Sequence, residues 1–265
     1  MALIRVDFAS EALELSTSMT VVLPEEGAQP PPLLYLLHGL TDDDTAWTRF
    51  TSIERYATAR GLAVVMPQVH RSFYADEAYG MKFWTFLSDE LPRLVHRFFK
   101  VTDQPRETYV AGLSMGGYGA FKWALRQPER FAAAASLSGA LDVAYLQEND
   151  HRPHIRALMD RVFAGRKAEG TDDDLLRLVR DARGKELPRL MLRCGADDHL
   201  VKPNQHFIEA CAGAGVTLDS AFTPGDHDWA YWDREIQTVL NWIFSPDRGP
   251  ARPGTAPVPP PAPRP

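Results

Sequence analysis

The chain has 265 residues, a formal net charge of −6, and is 45% hydrophobic and 24% charged. That balance is ordinary for a soluble globular protein whose core is large enough to need no cross-links. The acidic surplus argues against nucleic acid or an anionic membrane as a partner. Two cysteines, Cys194 and Cys211, are too few for a disulfide framework and read as free core thiols.

Taken from the N-terminus, MALIRVDFASEALELS has no charged segment followed by a long apolar one, so it reads as a strand rather than a signal peptide. No run approaches the ~18 apolar residues of a membrane span, and the expected location is the cytoplasm. Ala2–Phe8 and Glu14–Leu23 pattern as antiparallel strands at one edge of a sheet. LLYLL (Leu33–Leu37), LAVVM (Leu62–Met66), TYVAGL (Thr108–Leu113), FAAAASLS (Phe131–Ser138) and LPRLMLRC (Leu187–Cys194) are short apolar runs suited to strands buried on both faces. Leu91, Leu94, Val95, Phe98 and Phe99 follow the helical spacing, as do Ile236, Val239, Leu240, Ile243 and Phe244 near the end. Strand and helix in alternation predict an α/β fold, a mostly parallel sheet with helices on both faces.

The rhythm breaks from Ala140 to Glu186, where no strand pattern occurs. Ile155, Leu158, Met159, Val162 and Phe163 make one amphipathic helix, and Leu175, Leu176, Leu178 and Val179 suggest another. This is a helical insertion after the sixth strand, large enough to overhang a site. A last strand is expected at Leu218–Phe222. Residues 1–245 read as one domain. The final 20 residues, Pro246 to Pro265, hold nine prolines and read as a disordered or polyproline tail.

The chemistry centres on VAGLSMGGYGA, Val110 to Ala120. GLSMGG lacks the lysine of a phosphate-binding loop and its spacing is not GxGxxG. It fits G-x-S-x-G, Gly112 to Gly116, after a predicted strand and before a predicted helix. Such a turn pushes the Ser114 hydroxyl out at a helix N-terminus, where free N–H groups favour developing negative charge. A serine nucleophile needs a base. Of the downstream histidines, His227 in TPGDHDWAYW follows the last strand and lies at the correct end of the sheet. His199 reads as polar decoration, and His151, His154 and His206 fall in the insertion or on a helix. The acid is expected after the preceding strand, where the G-x-x-D spacing from Gly195 selects Asp198 over its neighbour Asp197. Two backbone donors for an oxyanion are expected at Met115, after the serine, and at Leu40, where His38-Gly39 lets the chain turn its N–H inward. His38 precedes the serine and reads as a loop brace.

HGL with its following tryptophan, RSFYADEAYGMKFWTFLSDELP (Arg71–Pro92), GLSMGGYGA, CGADDHL and PGDHDWAYW together resemble the esterase D-type branch of the α/β-hydrolases. Within it the likeness is to bacterial tributyrin esterases and acetyl-ester hydrolases, with S-formylglutathione hydrolases as more distant cousins. The resemblance implies a cofactor-free, metal-free serine esterase for short acyl esters, with Ser114 as nucleophile, His227 as base and Asp198 as its orienter. Its partner would be a small-molecule ester, and a homo-oligomer is compatible with it. Asp226 departs from the pattern, where glycine is expected before the histidine. Gly39, Trp47, Tyr79 and Trp229 are the expected substrate contacts, with the aromatics Phe73, Tyr74, Phe83 and Trp84 partly core and partly acyl wall. Bulky rings there predict acyl chains of about two to four carbons. A thioesterase of the S-formylglutathione type and a non-catalytic binding protein on the same fold are the alternatives.

Overall fold

The computed structural model describes residues 1–25, 27 and 29–245; the proline-rich segment lies outside them. The strands are β1 (Ala2–Ser10), β2 (Leu15–Leu23), β3 (Leu33–Leu37), β4 (Ala63–Pro67), β5 (Thr108–Leu113), β6 (Ala133–Leu137), β7 (Arg189–Gly195) and β8 (Asp219–Thr223). They form a single sheet in the order β1-β2-β4-β3-β5-β6-β7-β8. β1 pairs antiparallel with β2, and β2 with β4, while every pairing from β4 through β8 is parallel. This is the arrangement of an α/β-hydrolase. β3 and β5 coincide with their predicted runs from end to end, because β3 is apolar throughout, β5 is so after Thr108, and both are buried on both faces. The edge strand β1 instead alternates between half-buried and exposed residues, as a one-sided strand does.

Alternate residues of the central strands enter two cores. Leu33, Tyr35 and Leu37 pack with Val110, Leu190 and Leu192 on one face; Leu34 and Leu36 pack with Ala111, Leu113 and Met191 on the other. The second face is covered by α1 (Ala46–Phe50), α2 (Ile53–Thr58) and, with Ile236, Val239 and Leu240, by α10 (Trp229–Ile243). The first face carries α3 (Phe83–Thr85), α4 (Leu91–Phe98) and α5 (Met115–Arg126). It also carries the insertion helices α6 (Val143–Asn149), α7 (Pro153–Phe163) and α8 (Leu175–Asp181), then α9 (Val201–Ala214). α3 and α4 are one helix joined by a π-helical turn, Phe86–Glu90. Pro92 offers no N–H to the Ser88 carbonyl, which favours a widened turn there. The helix therefore begins earlier than the spacing from Leu91 suggests, and it stops before Phe99, whose backbone is extended.

The insertion is fastened from below. Lys122 on α5 is fully buried, donates to the Tyr74 carbonyl and pairs with the Asp173 carboxylate just ahead of α8. Cys194 and Cys211 are buried and unpaired. Among the described residues no helix is long and apolar enough to cross a membrane.

Candidate active site

The site stands at the carboxyl ends of β3, β5, β7 and β8. Ser114 lies between β5 and α5 with φ 52° and ψ −117°, a conformation costly for any residue with a side chain. Glycines make the turn possible by letting backbones touch. A Cβ on Gly112 would come 2.4 Å from the Gly116 carbonyl carbon, and one on Gly116 would come 2.4 Å from the Leu37 carbonyl oxygen. The turn is held by Ser114 N–H to the Leu137 carbonyl at 2.9 Å and by Ala140 N–H to the Ser114 carbonyl at 3.1 Å.

His227 Nε2 lies 3.0 Å from Ser114 Oγ, and its Nδ1 lies 2.9 and 3.0 Å from the two Asp198 oxygens. Asp198 is buried and also accepts from Leu200 N–H at 2.8 Å. Burial pushes its carboxyl up, but the hydrogen bond and charge of His227 and the Leu200 amide outweigh that and hold it below the ordinary carboxylate range. A carboxylate there fixes the proton on Nδ1 and leaves the Nε2 lone pair facing the serine. Asp197 is exposed and meets the site only through its backbone N–H to the Gly225 carbonyl. Asp226 accepts from the His227 backbone N–H at 2.7 Å, so it braces the loop rather than the ring.

Leu40 and Met115 flank the serine in the same cavity, and their backbone N–H groups have no acceptor among the described residues. Gly39 brings that loop close: a Cβ there would sit 3.7 Å from Ser114 Cβ and clash with Leu113. His38 is buried behind the loop. Its Nε2 accepts from Val69 N–H at 3.1 Å, so Nδ1 carries the proton and donates to the Gly39 carbonyl at 2.7 Å. Burial pushes the His38 pKa below the ordinary value, which suits a neutral brace.

The cavity has a volume of about 770 Å³. Trp229 lines it as expected, and Phe73 alone of the predicted aromatic loop does so. Trp47 and Tyr79 do not, and both expectations are corrected. Trp47 falls in the buried first turn of α1, donates from its indole to the Leu37 carbonyl at 3.2 Å and backs Trp229 edge-on at 5.3 Å. Tyr79 is 75% exposed, because its backbone N–H is bound to the Arg161 carbonyl on α7 and the turn carries its ring outward. Tyr74 and Phe83 are core, and Trp84 packs against it.

The insertion supplies the opposite wall through Leu146, Ile155 and Met159. Ile155 and Met159 stand one helical turn apart, so the period that predicted α7 also carried this wall. Other lining residues were not foreseen. His199, beside Asp198 in sequence, meets the His227 ring at 4.5 Å, and burial together with the nearby His227 lowers its pKa. Asp42 accepts from Gly39 N–H at 3.1 Å, and burial raises its pKa. Trp232 packs edge-on against the His227 ring at 4.9 Å. Asp198, His199 and His227 bring three potential metal ligands within 4.8 Å, but the facing atoms of Asp198 and His227 are already committed to each other. The arrangement can activate a hydroxyl, stabilise an oxyanion and protonate a leaving group.

The chain is similar to several known proteins. The model of the family described as "Putative esterase" matches residues 10–243. An acetyl esterase from Caldicellulosiruptor saccharolyticus is 26% identical over 269 residues, covering 92% of this chain and 98% of that protein. The fluorophosphonate-binding serine hydrolase FphF of Staphylococcus aureus, in a substrate-bound structure, superposes with a TM-score of 0.86 at 34% identity, over 92% of this chain and 99% of FphF. S-formylglutathione hydrolase FrmB from the same organism superposes at 0.82, also at 34% identity, over 92% of this chain and 99% of FrmB.

Proposed function

This chain belongs to the esterase family and is a serine carboxylesterase, and from that premise we propose that it hydrolyses small, short-chain acyl esters with Ser114 as nucleophile, His227 as base and Asp198 as orienter. The observation that carries the reading is a single imidazole hydrogen-bonded to the Ser114 hydroxyl through one nitrogen and to a buried carboxylate through the other. Ser114 Oγ attacks the ester carbonyl carbon while Nε2 takes its proton, and Asp198 stabilises the resulting imidazolium. The carbonyl oxygen becomes an oxyanion facing the free N–H groups of Leu40 and Met115. His227 then gives its proton to the departing alcohol. A water molecule, deprotonated by the same nitrogen, releases the acid and restores the serine.

Short chains are supported by the acetyl esterase relative, with the bulky side chains of Phe73, Ile155, Met159 and Trp229 among those lining the cavity. Gly39 shapes the loop beside the acyl carbon. A cytoplasmic setting suits two buried, unpaired thiols. Residues 1–245 act in this reading as one catalytic unit.

The test is kcat/KM on p-nitrophenyl esters from acetate to palmitate, for wild type and Ser114→Ala. Wild type is expected to peak at about two to four acyl carbons, and the variant to lose ~10³-fold or more while remaining folded. An optimum at about ten carbons or longer would show a groove instead of a short pocket. Turnover surviving in Ser114→Ala would remove the nucleophile from the scheme.

A further inference from the structure

One charged side chain of the cavity is left unexplained by ester hydrolysis. Arg71 lines it, is half-buried, and has an Nε cut off from solvent with no acceptor. Among the described residues no carboxylate lies within 4.0 Å of its guanidinium, and no hydrogen bond leaves it. The acids of the cavity are engaged elsewhere. Asp42 accepts from Gly39 N–H, Asp150 is clamped by Arg152 at 2.6 Å, and Asp228 caps α10 by accepting from Tyr231 N–H. A buried Nε–H with no acceptor is unfavourable unless something else reaches it, and the rest of the fork faces the cavity beside it.

A second observation is the backbone around it. His70, Phe73 and Tyr74 all have positive φ, at 51°, 49° and 49°, and none is glycine. Such conformations persist only where the surroundings impose them, and they collect at functional sites. Here the surroundings are visible. Arg161 on α7 donates to the Arg71 carbonyl at 2.9 Å and pairs with Glu77 at 2.9 Å, while the Tyr74 hydroxyl donates to the His38 carbonyl at 2.9 Å. The strained loop is thus pinned to both the insertion and the Gly39 turn, and Arg71 is presented from a fixed backbone.

We propose that Arg71 recognises a carboxylate on the substrate, so the preferred ester carries a negative charge in one of its two halves. Arginine offers a planar fork of donors that matches a carboxylate with two parallel hydrogen bonds. Bound substrate satisfies the idle donors and neutralises the charge inside the cavity. The inference rests on the serine-esterase reading and adds a specificity to it.

Two matched pairs test it by pH-stat: monomethyl glutarate against methyl valerate for a charged acyl half, and 4-acetoxybenzoate against phenyl acetate for a charged alcohol half. In one pair wild type is expected to favour the charged member. The charged-to-neutral ratio of kcat/KM in that pair should fall about 10- to 100-fold in Arg71→Gln, with part restored in Arg71→Lys. The responding pair identifies the half that carries the charge. A ratio untouched by Arg71→Gln in both pairs, or a wild-type preference for the neutral member in both, overturns the inference while leaving the esterase reading standing. Failure of wild type to hydrolyse any of the four overturns the esterase reading itself. If Arg71→Gln does not fold, inhibition of wild-type phenyl acetate hydrolysis decides. Glutarate acting at least about tenfold more strongly than glutaramide supports the site, and equal inhibition refutes it.

Discussion

Asp198→Asn is isosteric, yet the geometry predicts a severe loss. Asp198 Oδ1 is shared between Leu200 N–H at 2.8 Å and His227 Nδ1 at 3.0 Å, and Oδ2 faces the same ring nitrogen at 2.9 Å. An amide that keeps its oxygen toward Leu200 must turn its NH2 toward His227. The ring then moves its proton to Nε2, where it points at Ser114 and can no longer accept. Keeping the productive tautomer sets donor against donor, or leaves the Leu200 N–H unpaired in a buried site, at about 1–3 kcal/mol. The imidazolium formed during attack also loses a facing carboxylate, worth about 4 kcal/mol at ~4 Å and an effective dielectric near 20. Together these amount to about 5–7 kcal/mol, or roughly 10⁴- to 10⁵-fold in kcat/KM. The assay is p-nitrophenyl acetate hydrolysis with circular dichroism as a check on folding. Asp197→Asn is the control: its side chain is exposed and has no part in the site, so activity should stay within about threefold. An Asp198→Asn enzyme keeping more than about a tenth of wild-type kcat/KM, or equal losses in the two variants, would refute the assignment of the carboxylate.

Gly116→Ala places a Cβ 2.4 Å from the Leu37 carbonyl oxygen, backbone that cannot yield, so thermal unfolding should show a loss of about 2–4 kcal/mol. Gly213→Ala, within α9 and with nothing within 4 Å of its Cβ, should instead gain about 0.5–1 kcal/mol; the same sign at both positions would contradict the packing. The buried His38 and partly exposed His199 both have lowered pKa values, chiefly through burial. The unfolded chain therefore takes up protons near pH 6.5 that the folded chain refuses, and stability must fall as pH drops through that value. The urea midpoint should be lower at about pH 5.5 than at about pH 7.5, and a midpoint that is flat or rises on acidification would show that these imidazoles are not held neutral.

The residues proposed to carry the chemistry were legible because each announces itself within a few positions. A strand followed by G-x-S-x-G has one way to turn, and the glycines at 112 and 116 are needed where backbones pass within van der Waals contact. The order of serine, acid and histidine assigned Asp198 and His227 to loops after successive strands, and a parallel sheet brings those loop ends together. His38 was legible as a brace for the same local reason, sitting one residue before the turn it holds.

The walls of the cavity were decided elsewhere. Trp47 and Trp229 are both tryptophans after a turn at the correct end of the sheet, and no local pattern separates them. Only the packing of α1 beneath α10 buries one and leaves the other facing the cavity. Tyr79 lies in an aromatic-rich loop, but its backbone bond to α7, more than eighty residues away, turns it out. Arg71 looks like any surface arginine in the sequence. It becomes unusual only in the fold, where its Nε is shut off from solvent and, among the described residues, no acid arrives to pair with it. The sequence by itself therefore determined the strand order's local signals, the strained serine turn and the chemistry of the three facing side chains, all set by short-range sterics and hydrogen bonding. What surrounds them, and which charges are left unmatched, came from long-range burial, where two similar residues diverge according to what packs on top of them.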